Sequence, residues 1–171
     1  MNNKQMRDEW IQFIADSGPY RFMLTVTYKY SLPDDKSIQY FDKLLHFVNR
    51  KLYGMKYKRK GIYLKGFVFA ERNKRGALHF HILVKDDAVV NQFSRFKFEQ
   101  LVYRFGAKIE HTSKSGHGYQ VINNEGLDVA DIYDEIGIAD YLTKTMKMSE
   151  SCFIGPLGAD GSNLIKENIR R

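Results

Sequence analysis

Strand-like and helix-like segments succeed one another irregularly along the 171-residue chain. That order predicts an α+β domain, an antiparallel sheet of about five strands with flanking helices. Two observations carry the prediction. Apolar residues alternate with period two in some segments and recur at helical spacing in others, and two of the strands are separated only by a short turn, as in a hairpin.

Residues Arg21 to Tyr30 alternate Phe22, Leu24 and Val26 with Met23, Thr25 and Thr27, the pattern of a half-buried strand. Pro33-Asp34-Asp35 punctuates the chain. Ile38, Phe41, Leu44, Leu45, Val48 and Leu52 then follow helical spacing from about Ser37 to Leu52, with Gly54 as the stop. Ile62 to Glu71 and Ala77 to Val84 read as two strands joined by the turn Arg72-Asn73-Lys74-Arg75-Gly76. Asn91 to Phe105 carries Phe93, Phe96, Phe98, Leu101 and Val102 as a second helix. Ala107 to His111, Tyr119 to Ile122 and Val129 to Tyr133 are short strands between Gly-, Ser- and Asn-rich turns. A last helix starts after Asp134 and runs to about Met148. Residues 1–150 are thus read as one domain, and 151–171, with Gly155, Pro156, Gly158 and Gly161, as an irregular tail.

Hydrophobic residues make up 43% and charged residues 27%, the balance of a folded globular domain rather than a disordered or fibrous chain. No apolar run approaches the roughly 20 residues that cross a bilayer, and Met1 to Trp10 has no signal-peptide pattern. The lone Cys152 forms no intrachain disulfide and no thiolate metal cage, so a reducing cytoplasm is expected and Cys152 is read as inert. The length leaves no room for a second, ATP-driven domain. A net charge of +7 together with 14% aromatics suits a polyanion with stackable rings, and makes nucleic acid the first partner to consider.

His79-Phe80-His81 lies on a strand pattern, so both imidazoles project from one face while Phe80 points to the other. The short turn brings Glu71 across from them on the neighbouring strand. Two imidazoles and one carboxylate leave open positions on a divalent ion, the arrangement of a catalytic site. The plainer alternative is that Glu71 ends a strand and pairs in solvent with Arg72, Lys74 or Arg75. Tyr141 and Lys144, three residues apart on the last helix, share one helical face. Ionising a tyrosine of reference pKa about 10 costs about 3.4 kcal/mol at pH 7.5. A divalent cation on the scissile phosphate and a nearby ammonium both lower that demand.

These residues resemble the HUH endonuclease superfamily, in particular the single-tyrosine rolling-circle replication initiators of plasmids and phages. The resemblance rests on the strand Phe22-Met-Leu-Thr-Val-Thr27, on His79-Phe80-His81 with Glu71 upstream, and on Tyr141-Leu-Thr-Lys144, in the family's order over roughly residues 20–150. It implies a ferredoxin-like or RRM-like domain that nicks and rejoins single-stranded DNA at an origin, with or without an adjacent hairpin, in a bacterial host. Tyr141 would form a 5′-phosphotyrosine link, and Mg²⁺ or Mn²⁺ would be held by Glu71, His79 and His81. A host helicase and polymerase would be the partners. Thr145 stands where two-tyrosine initiators carry the second nucleophile, which favours a single-tyrosine enzyme. Tyr20, Tyr28 and Tyr30, in the region where conjugative relaxases place theirs, read as strand or loop residues; Tyr119 and Tyr133 are weaker nucleophile candidates.

Lys56, Lys58, Arg59 and Lys60, with Arg50, Lys51, Tyr53 and Tyr57, form a basic segment free of acidic residues. With Arg72, Lys74 and Arg75 at the hairpin tip it is expected to flank the metal and follow a DNA backbone, or else to be a solvated charged loop. Three other readings compete. A single-tyrosine HUH transposase shares the motifs, Lys65-Gly66-Phe67-Val68-Phe69 partly matches the signature of a non-catalytic RRM-like domain, and a non-haem iron oxygenase shares the two-His, one-carboxylate donor set.

Overall fold

The computed structural model describes residues 3–74, 76–113, 115–122, 124–144 and 153–158. Seven strands are present among them: β1 (Tyr20–Val26), β2 (Gly66–Arg72), β3 (Leu78–Lys85), β4 (Glu110–Thr112), β5 (Gly118–Gln120), β6 (Leu127–Asp131) and β7 (Phe153–Pro156). Five of these form a central sheet in the order β6-β1-β3-β2-β7, every neighbouring pair antiparallel. β4 and β5 pair in a separate two-stranded ribbon. The helices are α1 (Asn3–Asp16), α2 (Asp34–Tyr53), the single turn α3 (Tyr57–Lys60), α4 (Arg95–Gly106) and α5 (Glu135–Lys144). Taken as β1-α2-β2-β3-α4-β6, the chain follows the ferredoxin-like β-α-β-β-α-β order. The α+β class and the antiparallel sheet agree with the sequence reading.

Alternation along the strands sends two sets of side chains to opposite faces. Phe22, Leu24 and Val26 of β1 and Phe80, Ile82 and Val84 of β3 join Phe41, Leu44, Leu45 and Val48 of α2 and Phe98 and Val102 of α4 in the main core. Stacked rings mark the contact, with Phe41 on Phe80 at 4.3 Å and Phe22 on Phe98 at 4.8 Å between centroids. On the other face Tyr20, Phe67, Phe69 and Leu83 meet Ile14 of α1 and Ala139 and Leu142 of α5. The sheet is therefore covered on both sides.

Several boundaries depart from the sequence expectation for identifiable reasons. α2 begins at Asp34, since Pro33 sits at the cap and Asp34 and Asp35 complement the helix dipole; Gly54, with φ 84°, ends it by donating its N–H to the Arg50 carbonyl. β1 stops at Val26, because the Thr27 and Lys29 N–H groups turn to the carbonyls of Gly126 and Val121. β2 begins at Gly66 rather than Ile62. The Leu64 N–H is taken by the side chain of buried Asn49, and Gly66 has φ 145° with Leu83 O 1.7 Å from where a Cβ would stand. The helix expected from Asn91 is a 3₁₀ turn (Val90–Gln92) followed by α4, which Ser94 caps by accepting from the Lys97 N–H.

Two larger corrections concern the termini. α1 has no counterpart in the sequence reading, although Trp10, Ile11 and Ile14 recur at helical spacing and pack on the sheet. Within the tail read as irregular, Phe153–Pro156 is β7, an edge strand that pairs Ile154 with Phe69 of β2. Arg75, Thr145, the helix end expected near Met148, and Cys152 lie outside the described residues.

Candidate metal centre and its tyrosine

The β2–β3 register sets Glu71 opposite His79 and Phe69 opposite His81. Glu71 thereby faces one imidazole directly and the other diagonally, on the face that α1 and α5 cover. Glu71 Oε1 lies 2.6 Å from His79 Nε2 and 3.2 Å from His81 Nε2. One ligand atom from each of the three residues lies within 4.8 Å of the others. All three side chains are mostly sheltered, at 19% exposure for Glu71, 14% for His79 and 9% for His81. An ordinary surface ion pair would be more open.

Thr25, to which the sequence reading assigns no part in the site, lies opposite His81 on β1. Its Oγ1 is 3.0 Å from His81 Nδ1. Thr25 Oγ1 can fix the orientation of His81 through Nδ1, as the second nitrogen of a metal-ligating histidine is ordinarily fixed. His79 Nδ1 is buried with no hydrogen-bond partner among the described residues. The donor set fits a divalent cation, because two Nε2 atoms and a carboxylate converge on one point.

Tyr141 sits on α5 over the same face. Its ring stands edge-on to His81, centroids 6.4 Å apart, and the residue is 57% exposed. α5 is held by Leu142 and Ala139 in the core and by Arg7 of α1, whose guanidinium donates to Asp140 Oδ1 at 2.5 Å and to the Asp140 carbonyl at 3.2 Å. Asp134 starts the helix, accepting the Gly137 N–H at 2.9 Å. Lys144 is exposed in the last described turn.

The other tyrosines near the N-terminal part of the sheet are differently placed. Tyr20 donates to the Ile14 carbonyl, and burial with Glu135 nearby raises its pKa. Tyr28 donates to the Ser37 carbonyl, and burial raises its pKa well above the usual value. Both are packed structural phenols. Tyr133 is 89% exposed after β6.

The basic residues divide. Arg72 and Lys74 sit at the β2–β3 turn beside the triad, but Arg72 is committed to Asp34 at 2.6 and 3.0 Å. Lys56, Lys58, Arg59 and Lys60 do not flank the metal cluster as the sequence suggests. α2 runs from Asp34, at the hairpin tip, to Tyr53, whose hydroxyl donates to Asp87 just past the far end of β3. Its 20 residues span about 30 Å. The basic segment follows this far end, and α2 packs on the face opposite the histidines. Comparison with protein-family models, with curated proteins and with solved structures finds no match.

Proposed function

We propose that the protein is a metal-dependent endonuclease and strand transferase that nicks and rejoins single-stranded DNA through Tyr141, in the manner of a rolling-circle replication initiator. The observation that carries this reading is the exposed Tyr141 phenol standing beside a sheltered Glu71, His79 and His81 cluster. A tyrosine packed only for stability has no reason to lie open at that place. The ordered motifs of the sequence and the +7 charge add support.

Glu71, His79 and His81 would hold the ion, with Thr25 orienting His81. A bound divalent cation supplies charge stabilisation at a phosphoryl oxygen, and imidazole donors suit Mn²⁺ better than Mg²⁺. Tyr141 Oη gives up its proton and attacks phosphorus, the bond from phosphorus to the 3′ oxygen breaks, and that oxygen takes up a proton and leaves as a 3′-OH while the 5′ end stays on the enzyme as a phosphotyrosine. Attack by a 3′-OH reverses the step without ATP. Lys144 offers positive charge on the helix that presents the phenol. Host polymerase and helicase would extend and unwind the strand.

The RRM-like alternative loses support from the sheet itself, since Phe67 and Phe69 are buried under α1 and α5 rather than offered to bases. The test is incubation with a library of single-stranded oligonucleotides and Mn²⁺, followed by a denaturing gel. A covalent adduct that disappears in Tyr141→Phe and in His79→Ala is the expected result. An adduct that persists in Tyr141→Phe removes the nucleophile assignment, and no adduct with any oligonucleotide removes the reading.

A further inference from the structure

Tyr30 and Tyr119 are among the few large aromatic side chains left open, at 45% and 38% exposure. They meet although they come from distant parts of the chain, edge to face at 5.4 Å between centroids. Tyr119 in turn contacts His111, its cross-strand partner in the β4–β5 ribbon, at 5.2 Å. His111 Nδ1 lies 2.6 Å from the hydroxyl of Tyr40, which is buried on α2. A row of rings therefore runs from the core out to solvent, hydrogen-bonded at its inner end. Lys29 Nζ lies 5.6 Å from the Tyr30 ring, and Glu110 alternates onto the ribbon's other face, opposite Gln120. The outer end is thus aromatic and cationic.

Its place relative to the metal cluster gives it a use. A shallow cleft joins Lys29, Tyr30 and Ser31 to Asn73, Ala77 and Leu78 of the β2–β3 turn. Leu78 precedes His79, and Asn73 follows Glu71 by two residues, so the cleft lies at the hairpin-tip end of the sheet that also carries the ligands, and Tyr28 and Leu78 line it from the α2 side. Rings that served only to brace the ribbon would gain more by being covered, since burial of apolar surface is the favourable term. Exposed rings interleaved with a cation are what bases of an unpaired strand stack upon.

We propose that Tyr30 and Tyr119, with Lys29, form a stacking platform for a base of single-stranded DNA that passes from the nick site round the hairpin-tip end of the sheet to its α2 side. The proposal rests on the function proposed above and adds a specific subsite to it.

The experiment uses the full chain, in EDTA so that no strand is cut. Binding of a fluorescent single-stranded oligonucleotide is followed by anisotropy, and a 5-iododeoxyuridine-substituted strand is photocrosslinked to the unaltered protein. Tyr30→Ala and Tyr119→Ala are each expected to weaken binding about 5- to 100-fold. Tyr30→Phe and Tyr119→Phe stay within about twofold of the parent at unchanged melting temperature, because stacking needs the ring and not the hydroxyl. Crosslinks are expected on peptides holding Tyr30 or Tyr119. Should DNA bind and the Tyr141 adduct form while crosslinks fall only elsewhere, the platform is rejected and the nuclease reading stands. Absence of any single-stranded DNA binding overturns both, and tighter binding of an RNA strand of the same sequence overturns the choice of DNA.

Discussion

At the scale of single residues, the site depends on contacts of 2.6 to 3.2 Å that alternation alone does not specify. His79, His81 and Glu71 are legible in the sequence, because period two puts both imidazoles on one face and a short turn returns Glu71 across from them. Thr25 is not. It is far from His81 in the chain and next to it only through the β1–β3 register. Replacing Thr25 by Val removes the oxygen 3.0 Å from His81 Nδ1 and is expected to weaken Mn²⁺ binding about tenfold in calorimetric titration. Thr25→Ser should retain the affinity; equal affinity in Thr25→Val would mean that Thr25 does not orient the ligand. Gly66 is a second residue whose necessity is tertiary. A Cβ there would lie 1.7 Å from Leu83 O, so Gly66→Ala is expected to prevent cooperative folding, as read by loss of a sharp thermal transition.

Secondary-structure elements are the next level, and the decisive pair is α1 with α5. α5 presents Tyr141, and α1 is what it leans on, through Ile14 in the core and Arg7 on Asp140. The periodic helix α2 and the hairpin are readable because their apolar spacing is strong and the ends of α2 are marked by Pro33 and Gly54. α1 is marked at its C-terminal end, by Gly18 and Pro19, but its first turn carries no acidic residue. β7 escapes a sequence reading because Gly and Pro are ordinarily signs of a loop, whereas an edge strand tolerates them. Ile14 is fully buried, and Ile14→Ala is expected to cost about 2–5 kcal/mol in urea unfolding. The same variant should slow adduct formation while leaving Mn²⁺ affinity near the parent value, since the ligands stand on β2 and β3. Parallel loss of both would show that α1 supports the whole sheet and not α5 in particular.

For the molecule as a whole, the distribution of charge differs from what the linear sequence suggests. The run Lys56, Lys58, Arg59 and Lys60 is at the far end of α2 and on the opposite side of the sheet from the histidines. An oligonucleotide of about eight nucleotides bound at the triad cannot be expected to use it, whereas a longer strand can. Changing all four to Gln should leave nicking of the short strand within about twofold. On a long strand it should reduce the salt dependence of binding by about 0.7 in the log–log slope for each phosphate no longer neutralised. Loss of short-strand nicking would place the segment at the active site after all. Among the described residues no helix is long and apolar enough to cross a membrane.

Local pattern specifies the class of fold, the identity of the three metal-ligating candidates and the helix that carries the tyrosine. These follow from local periodicity and from a turn of a few residues, which act over short stretches of chain. Tertiary structure alone decided that Thr25 supports His81, that α1 backs α5, that Tyr30 meets Tyr119, and that the basic segment lies away from the cluster. Each of these depends on strand order and on which face a helix covers. Those properties arise from burying two apolar faces of one sheet at once, and no local pattern encodes them.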